Sequence, residues 1–218
     1  MRNSLYKYFD ERRWADTFLD GAIRFQSLAY YRDYEDAEVR RDVNEGNAIY
    51  QPAEGLVLHN QTQGTRKVMP NARFEAVVKQ EEVFVLCLTR GMTDERRARF
   101  HAVACVEVTR IAKFCARLQA TLPEGAKFFA GRVAYYELHD DPNPHWALPD
   151  LIALRKQKSY EWQGEYRMFF STTDALDFEK AQYRIVTGTP EPPPKPTMYP
   201  EHHVKLRDLR DICRLHTF

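Results

Sequence analysis

The chain has 218 residues, enough for one large domain, and 44% of them are hydrophobic and 13% aromatic, enough to fill a core. Its 32 Lys and Arg against 31 Asp and Glu give a formal net charge of +1, which argues against a protein that coats polyanions through its overall charge but leaves room for a local basic groove. With a mean hydropathy of −0.60 and no apolar run of spanning length, it does not read as a helical membrane protein.

Leu5 to Phe9 reads as a short aromatic strand. Asp10 to Leu19 reads as a helix with Asp10 as N-cap and Trp14, Phe18 and Leu19 on one face. Gly21 suits its stop, and Ala22 to Phe25 restarts as a strand with Ile23 and Phe25 opposite Arg24. Residues 27–50 are polar, charged and rich in Tyr, and read as a long irregular connection, either a lid or a loop. Between 54 and 85 successive strands are expected, around Val57 and from Phe74 to Val78, with turns at Gln63-Gly64 and Pro70-Asn71.

Glu82 to Thr89 has a continuous apolar core and reads as a central strand buried on both faces, and Ala102 to Val108 as another. Thr109 is placed to cap a helix from Ile111 to Leu122, whose Ile111, Phe114, Cys115 and Leu118 keep helical spacing. Arg132 to Glu137 returns as a strand, Pro149 to Lys158 as a short helix, and Glu165 to Ser171 as a strand. Thr189 to Pro196 is a stiff polyproline-like segment within a Pro-rich excursion over 189–200. Val204 to Leu206 reads as a last strand and Asp208 to Leu215 as a turn or helix.

The four cysteines, Cys87, Cys105, Cys115 and Cys213, have no metal-ligand spacing, and three lie in apolar contexts that suit buried thiols. The histidines lack the H-x-x-x-H pattern, so no metal is expected. Neither a Gly-x-Ser-x-Gly elbow nor a phosphate-binding glycine motif is present. The first residues lack the apolar core of a secretory signal, and the expected location is the cytoplasm.

The densest chemistry lies in Lys158-Ser159-Tyr160-Glu161-Trp162-Gln163-Gly164-Glu165-Tyr166-Arg167. Two carboxylates, an arginine and three aromatics stand there at the entrance of a strand, where a loop supplies reach and the strand fixes position. The same alternation also fits the solvent face of an ordinary strand, in which case Glu165 and Arg167 are a surface pair worth less than about 1 kcal/mol. Arg24 could likewise pair with Asp33 or Asp42 to pin the 27–50 loop, and Tyr6 and Tyr8 could be core or strand-face residues.

Together with the basic and hydroxyl residues near the N-terminus, these groups suit a ligand that contains pyrophosphate. Lys7, Arg24 or Arg41 could neutralise phosphate, and Tyr30, Tyr31 or Tyr160 could stack a nicotinamide or adenine ring. Glu165 or Glu161 could hold a ribose hydroxyl and favour positive charge developing on the ribose.

The Leu5-Tyr6-Lys7-Tyr8 opening, the Ile23-Arg24-Phe25 strand, the Arg41-Asp42-x-x-Glu45-Gly46 segment and Trp162-x-x-Glu165-Tyr166-Arg167 resemble a group of bacterial and phage proteins. These look like distant relatives of ADP-ribosyltransferases, including DarT-type toxins that modify nucleic acid. The resemblance implies an α+β fold, a split β-sandwich with flanking helices, formed by residues 1–218 as a single domain that binds NAD in a cleft. It implies catalysis by Glu165, with Glu161 as its neighbour. Cofactor contacts are then expected from Lys7, Tyr8, Arg24, Ser27, Tyr31, Arg41, Thr89 and Tyr160, with Lys7 standing where active transferases usually carry histidine or arginine. The implied activity is transfer of ADP-ribose from NAD to RNA, DNA or protein, in a toxin or phage-defence effector that could have an antitoxin or other protein partner. A NAD hydrolase, or a non-catalytic module that binds nucleic acid or protein, remains the alternative.

Overall fold

In the computed structural model, residues 4–33, 42–143, 145–188, 195 and 198–218 are described. The first half of the chain forms β1 (Leu5–Phe9), α1 (Arg12–Leu19), β2 (Ala22–Ser27), α2 (Leu28–Asp33), β3 (Asn47–Tyr50), β4 (Leu56–Asn60), β5 (Thr65–Met69), β6 (Ala72–Val77) and β7 (Phe84–Thr89). Next come α3 (Asp94–Arg99), β8 (Ala104–Val108), α4 (Ile111–Gln119), β9 (Lys127–Arg132), β10 (Ala134–Tyr136), α5 (Pro149–Ile152) and β11 (Arg155–Gln157). The last strands are β12 (Glu165–Ser171), β13 (Gln182–Thr187), β14 (Glu201–Lys205) and β15 (Cys213–Thr217). Antiparallel strands dominate and helices are few, an α+β arrangement; among the described pairs only β10 and β11 run parallel.

Eight of these strands join one sheet around β7, the strand whose apolar run predicts burial on both faces. Along one side β7 pairs with β12 from Phe84↔Phe170 to Thr89↔Glu165, and β12 continues to β9. On its other side β7 is shared. Its start pairs with β2 through Ser27↔Phe84 and Gln26↔Val85, whereas its end pairs with β1 through Tyr6↔Thr89. The sheet therefore forks there, with β2 and β14 on one limb and β1, β8 and β15 on the other. Cys87 sits between the two limbs, and its carbonyl accepts a hydrogen bond from Lys7 Nζ at 3.0 Å, which satisfies a backbone acceptor that neither limb reaches.

The strand period of two separates the faces. Leu86, Leu88, Met168 and Phe170 point to one side, where Phe18 of α1 and Phe114 and Leu118 of α4 complete a core with Phe25 and Val106. Val85 and Phe169 point to the other, against Leu28, Ala48, Ala76, Val78, Ile152 and Ala153. That second core is covered by a three-stranded sheet in the order β13-β6-β3, while β4 and β5 form a separate hairpin.

Several local expectations are corrected. The helix N-caps fall at Glu11 and Arg110, not Asp10 and Thr109, and neither side chain makes a cap bond; Thr109 Oγ1 instead donates to the Ile212 carbonyl. The apolar face of α1 is Ala15, Phe18 and Leu19, with Trp14 left 47% exposed beneath the Arg13 guanidinium. The 27–50 stretch contains α2, a tight turn over 42–46 and β3, so its described part is largely ordered by hydrogen bonding. The Pro149 helix stops at Ile152, and the chain ends on the strand β15 where a turn or helix is expected. Most of the Pro-rich 189–200 segment lies outside the described residues. All four cysteines are free thiols, and no described helix is long and apolar enough to cross a membrane.

Gly21 shows how closely the α1–β2 turn clasps the end of β14. Its φ is +88°, and a Cβ there would meet the Leu206 carbonyl oxygen at 2.4 Å. Gly64, at the tip of the β4–β5 hairpin, has φ +62° with nothing within 4 Å of a Cβ. Gly64→Ala should thus carry only the left-handed backbone cost of about 1–2 kcal/mol, and Gly21→Ala clearly more. Equal losses in urea unfolding would contradict the close approach.

Candidate active site

The described part of Arg41-Asp42-x-x-Glu45-Gly46 is a turn that carries a carboxylate into the interior. Asp42 N donates to the Tyr31 carbonyl at 3.2 Å and Glu45 N to the Asp42 carbonyl at 2.8 Å. Gly46, at φ +74°, turns the chain back into β3 against the Gln80 side chain. Gln80 Nε2 donates to the Glu45 carbonyl at 2.7 Å, and Gln80 Oε1 accepts from Arg32 Nη1. Glu45 is thereby fully buried beneath β12.

Arg167 lies within β12, is fully buried, and donates through all three guanidinium nitrogens. Nη1 donates to Glu45 Oε1 at 2.6 Å and to the Ala153 carbonyl at 2.7 Å, and Nη2 to Glu45 Oε2 at 2.8 Å. Nε donates to Glu165 Oε1 at 2.8 Å. Lys156, from β11, adds a second cation 3.3 Å from Glu165 Oε2 and 3.8 Å from Glu45, with its ammonium also donating to Gln163 Oε1 at 3.0 Å. Two carboxylates and two cations thus neutralise one another away from water. The surface-pair expectation for Glu165 and Arg167 is overturned, because the small sheet and α5 cover the face on which they lie.

The charges set the protonation states. Burial raises the Glu165 pKa, but the Arg167 guanidinium and Lys156 ammonium outweigh it and hold the carboxyl well below the usual range. Burial works against the Lys156 charge too, and Glu165 and Glu45 overcome it, so the amine stays protonated. Burial, then Glu165, pushes the Cys87 thiol up to about 12, which removes it as a thiolate nucleophile at neutral pH. Tyr31 is likewise raised well above its ordinary value by burial and by Cys87 and Glu165.

Above this network opens a pocket of about 120 Å³, lined on the strand side by Tyr6, Lys7, Tyr8, Cys87, Thr89 and Glu165. Tyr31, Phe100, Lys156, Gln163 and Arg167 complete its wall. Five residues expected from the sequence to act on one ligand therefore meet here: Lys7 and Tyr8 from β1, Tyr31 from α2, Thr89 from β7 and Glu165 from β12. Tyr8 offers its ring rather than its hydroxyl, which accepts from Thr93 N at 3.0 Å. Thr89 Oγ1 donates to the Gly91 carbonyl at 3.0 Å. Arg96 clamps the rim, donating to the Gly91 and Trp162 carbonyls, both at 2.8 Å. Gly164 has φ +53°, a backbone conformation that favours glycine, and a Cβ there would displace Arg96 Nη2, 2.3 Å away, from its clamp.

The other expected residues lie outside this pocket or outside the description. Arg24 is exposed on β2 and pairs with Glu201 at 2.6 Å, not with Asp33 or Asp42. Ser27 is buried at the end of β2, where its Oγ accepts from Tyr30 N at 3.3 Å. Tyr160 stacks its ring 4.8 Å from the Lys156 ammonium, and Glu161 is exposed in the 3-10 turn over Lys158–Gln163. Arg41 lies outside the described residues. Sequence reading missed Glu45, Lys156 and Gln163 as parts of the site; the Glu45-Gly46 dipeptide within the resembling segment was the one signal for the first, and no spacing marks the others.

No protein-family model matches this chain, and neither the curated proteins nor the solved structures include a match to it.

Asp42 is the surplus charge. It is 1% exposed, its Oδ2 has no hydrogen-bond partner among the described residues, and burial and then Glu45 raise its pKa from 3.8 to about 6. A carboxyl whose folded pKa is raised binds its proton more tightly in the native state, so its contribution to stability falls as pH climbs from about 4 past 6. Asp42→Asn should consequently stabilise the protein relative to wild type by about 1 kcal/mol more at pH 7.5 than at pH 5. An identical stability gap at the two pH values would show that Asp42 is not a buried, proton-holding acid. Arg167→Met, which strands Glu45 and Glu165, should cost about 3–5 kcal/mol in chemical denaturation at pH 7.5.

Proposed function

We propose that this protein transfers ADP-ribose from NAD to a macromolecular acceptor, nucleic acid or protein, on an ADP-ribosyltransferase-like split β-sandwich. The observation that carries this reading is the meeting of Lys7, Tyr8, Tyr31, Thr89 and Glu165, drawn from four separate elements, around one pocket. At about 120 Å³ the pocket is smaller than the roughly 300–1,000 Å³ of sites that enclose a drug-sized ligand. It suits one ring with part of a sugar, so the nicotinamide end enters and the adenosine end lies along the surface. Tyr6, Tyr8, Tyr31 and Phe100 supply apolar walls for a planar ring, and NAD supplies a ribose whose C1′ carries a good leaving group.

Glu165 is the group suited to the chemistry. A carboxylate held ionised in a site from which water is largely displaced favours positive charge at C1′ as the glycosidic bond loosens, with no reorganisation at the moment of reaction. Arg167 and Lys156 fix its orientation while lowering its basicity. The lining carries Lys7, Lys156 and Arg167 against the single carboxylate of Glu165, a balance that tolerates the phosphates of the substrate near the mouth. The acceptor would approach from the rim formed by the loop over 90–93 and the 3-10 turn at Lys158–Gln163. A cytoplasmic toxin or phage-defence role, with an antitoxin-type partner, is the biological setting that goes with the reading.

NAD should raise the melting temperature by linkage, and labelled NAD should mark a macromolecule in a cell extract. Glu165→Gln should keep NAD binding and lower turnover by about 10²–10³-fold, measured as nicotinamide release at a temperature where circular dichroism shows the variant folded. A wild-type rate in that variant would move the catalytic role elsewhere. Absence of both a thermal shift and label transfer would remove the NAD reading.

A further inference from the structure

The two edges of the small β13-β6-β3 sheet are finished differently. At the β3 edge the outward backbone groups are met: Tyr136 Oη accepts from Ile49 N at 3.2 Å and donates to the Asn47 carbonyl at 3.4 Å, and Gln51 N donates to the Leu138 carbonyl at 2.6 Å. At the opposite edge β13 pairs with β6 from Gln182↔Val77 to Thr187↔Ala72, and among the described residues nothing bonds the backbone along its outer side. A strand turns its N–H and C=O groups alternately to its two neighbours, so β13 presents a bare row of donors and acceptors.

The side chains on this edge are apolar as well. Tyr183 and Ile185, each 41% exposed, lie opposite Ala76 and Phe74 and so share their face, with the Phe178 ring 6.1 Å from that of Tyr183. Phe74 stacks on Tyr183 at 6.4 Å and meets Trp146 edge-on at 5.9 Å, which joins the patch to the second core. Strands at the edge of a sheet are ordinarily protected from association by charged side chains. The edges of the large sheet follow that rule: β14 carries Glu201, His203 and Lys205, β15 carries Arg214 and His216, and β9 begins at Lys127 and ends at Arg132. On β13 the one charge is Arg184, and its Nε is drawn to Glu75 of the neighbouring strand at 2.7 Å.

We propose that β13 is an interface whose occupant is β13 of a second copy of this chain, paired antiparallel about a two-fold axis at Ile185; the inference stands apart from the transferase reading. Bare backbone alone accepts any strand, and it is the register that selects a second copy. In an antiparallel pair related by a two-fold axis, the axis stands perpendicular to the sheet and one residue pairs with its own copy. Arg184 and Ile185 are at the middle of the strand, where the two copies overlap most. An axis at Arg184 sets two guanidinium groups directly opposite, which is repulsive. An axis at Ile185 sets Ile185 against Ile185 of the second copy and Tyr183 against Thr187 of the second copy, an apolar row on the exposed face. Arg184 then falls opposite Val186 of the second copy and keeps its bond to Glu75. The result is one continuous antiparallel sheet in the order β3-β6-β13-β13-β6-β3.

A short edge-to-edge contact belongs with the weak interfaces, so the test is sedimentation velocity of the full chain at about 1–100 μM. Wild type should pass from 25.7 kDa to twice that mass across the range. Ile185→Lys, which sets two ammonium groups face to face on the axis, should stay at 25.7 kDa while keeping the circular dichroism of the folded chain. Under mild oxidation Ile185→Cys should give a disulfide-linked dimer, because directly opposite residues bring their Cα atoms to about 4.5–5.5 Å. Arg184→Cys and Tyr183→Cys should not, since each is offset along the strand from its own copy, and wild type with its free thiols sets the background. A wild type that stays monomeric over the whole range overturns the proposal, and so does a dimer that persists in Ile185→Lys. Linkage through Arg184→Cys in place of Ile185→Cys overturns the register on which the choice of a second copy rests.

Discussion

The fold and the site both depend on one buried guanidinium. Arg167 sits in the middle of an otherwise apolar strand, where an unpaired charge costs several kcal/mol, and it is tolerated only because Glu45, Glu165 and the Ala153 carbonyl receive its N–H groups. Those partners come from a turn, a strand edge and the end of a short helix. Because Glu165 shares β12 with Arg167, satisfying this one side chain fixes two further segments, the Glu45 turn and the end of α5, relative to the central sheet. Lys156 completes the balance, and the face that would otherwise be open to water is closed by the β13-β6-β3 sheet.

The same arrangement has consequences for chemistry. A carboxylate clamped by two cations stays ionised and is a poor base. The fork in the sheet contributes separately. Where β2 and β1 diverge from β7, a backbone carbonyl is left over, and Lys7 fills the gap, bringing a cation to the pocket wall. An N-terminal lysine and a glutamate late in the chain meet because β7 lies between their strands.

The strand pattern was largely legible in the sequence. The apolar run of β7, the helix spacing of α4 and the β12 strand follow from residue periodicity alone. Periodicity divides a strand into two faces without saying which of them another layer covers. For β12 the alternation that reads as solvent-facing is in fact the buried ionic face, because β3 and β6 return from distant sequence to cover it. Glu45 was hidden for a related reason: its stretch reads as polar loop, and only the long-range pairing with Arg167 makes a carboxylate there stable. The α3 helix, which buries none of its residues, and the exposed β13 strand carry too little apolar pattern to be seen. Of the residues expected to bind a ligand, those at the end of β7 and on the neighbouring β1 and β12 gather in the pocket with Tyr31 of α2, and Arg24 and Ser27, on the β2 limb beside the start of β7, do not.

The most direct measurement is the ionisation of Glu165 itself, followed by the carboxyl carbon signal of glutamate-labelled protein and assigned with Glu165→Gln. If Arg167 and Lys156 hold the group as described, its signal remains that of a carboxylate down to the pH at which the protein unfolds. Titration near the ordinary glutamate value of about 4.3 in the folded protein would contradict a clamped, ionised carboxylate, and with it the physical basis of the site.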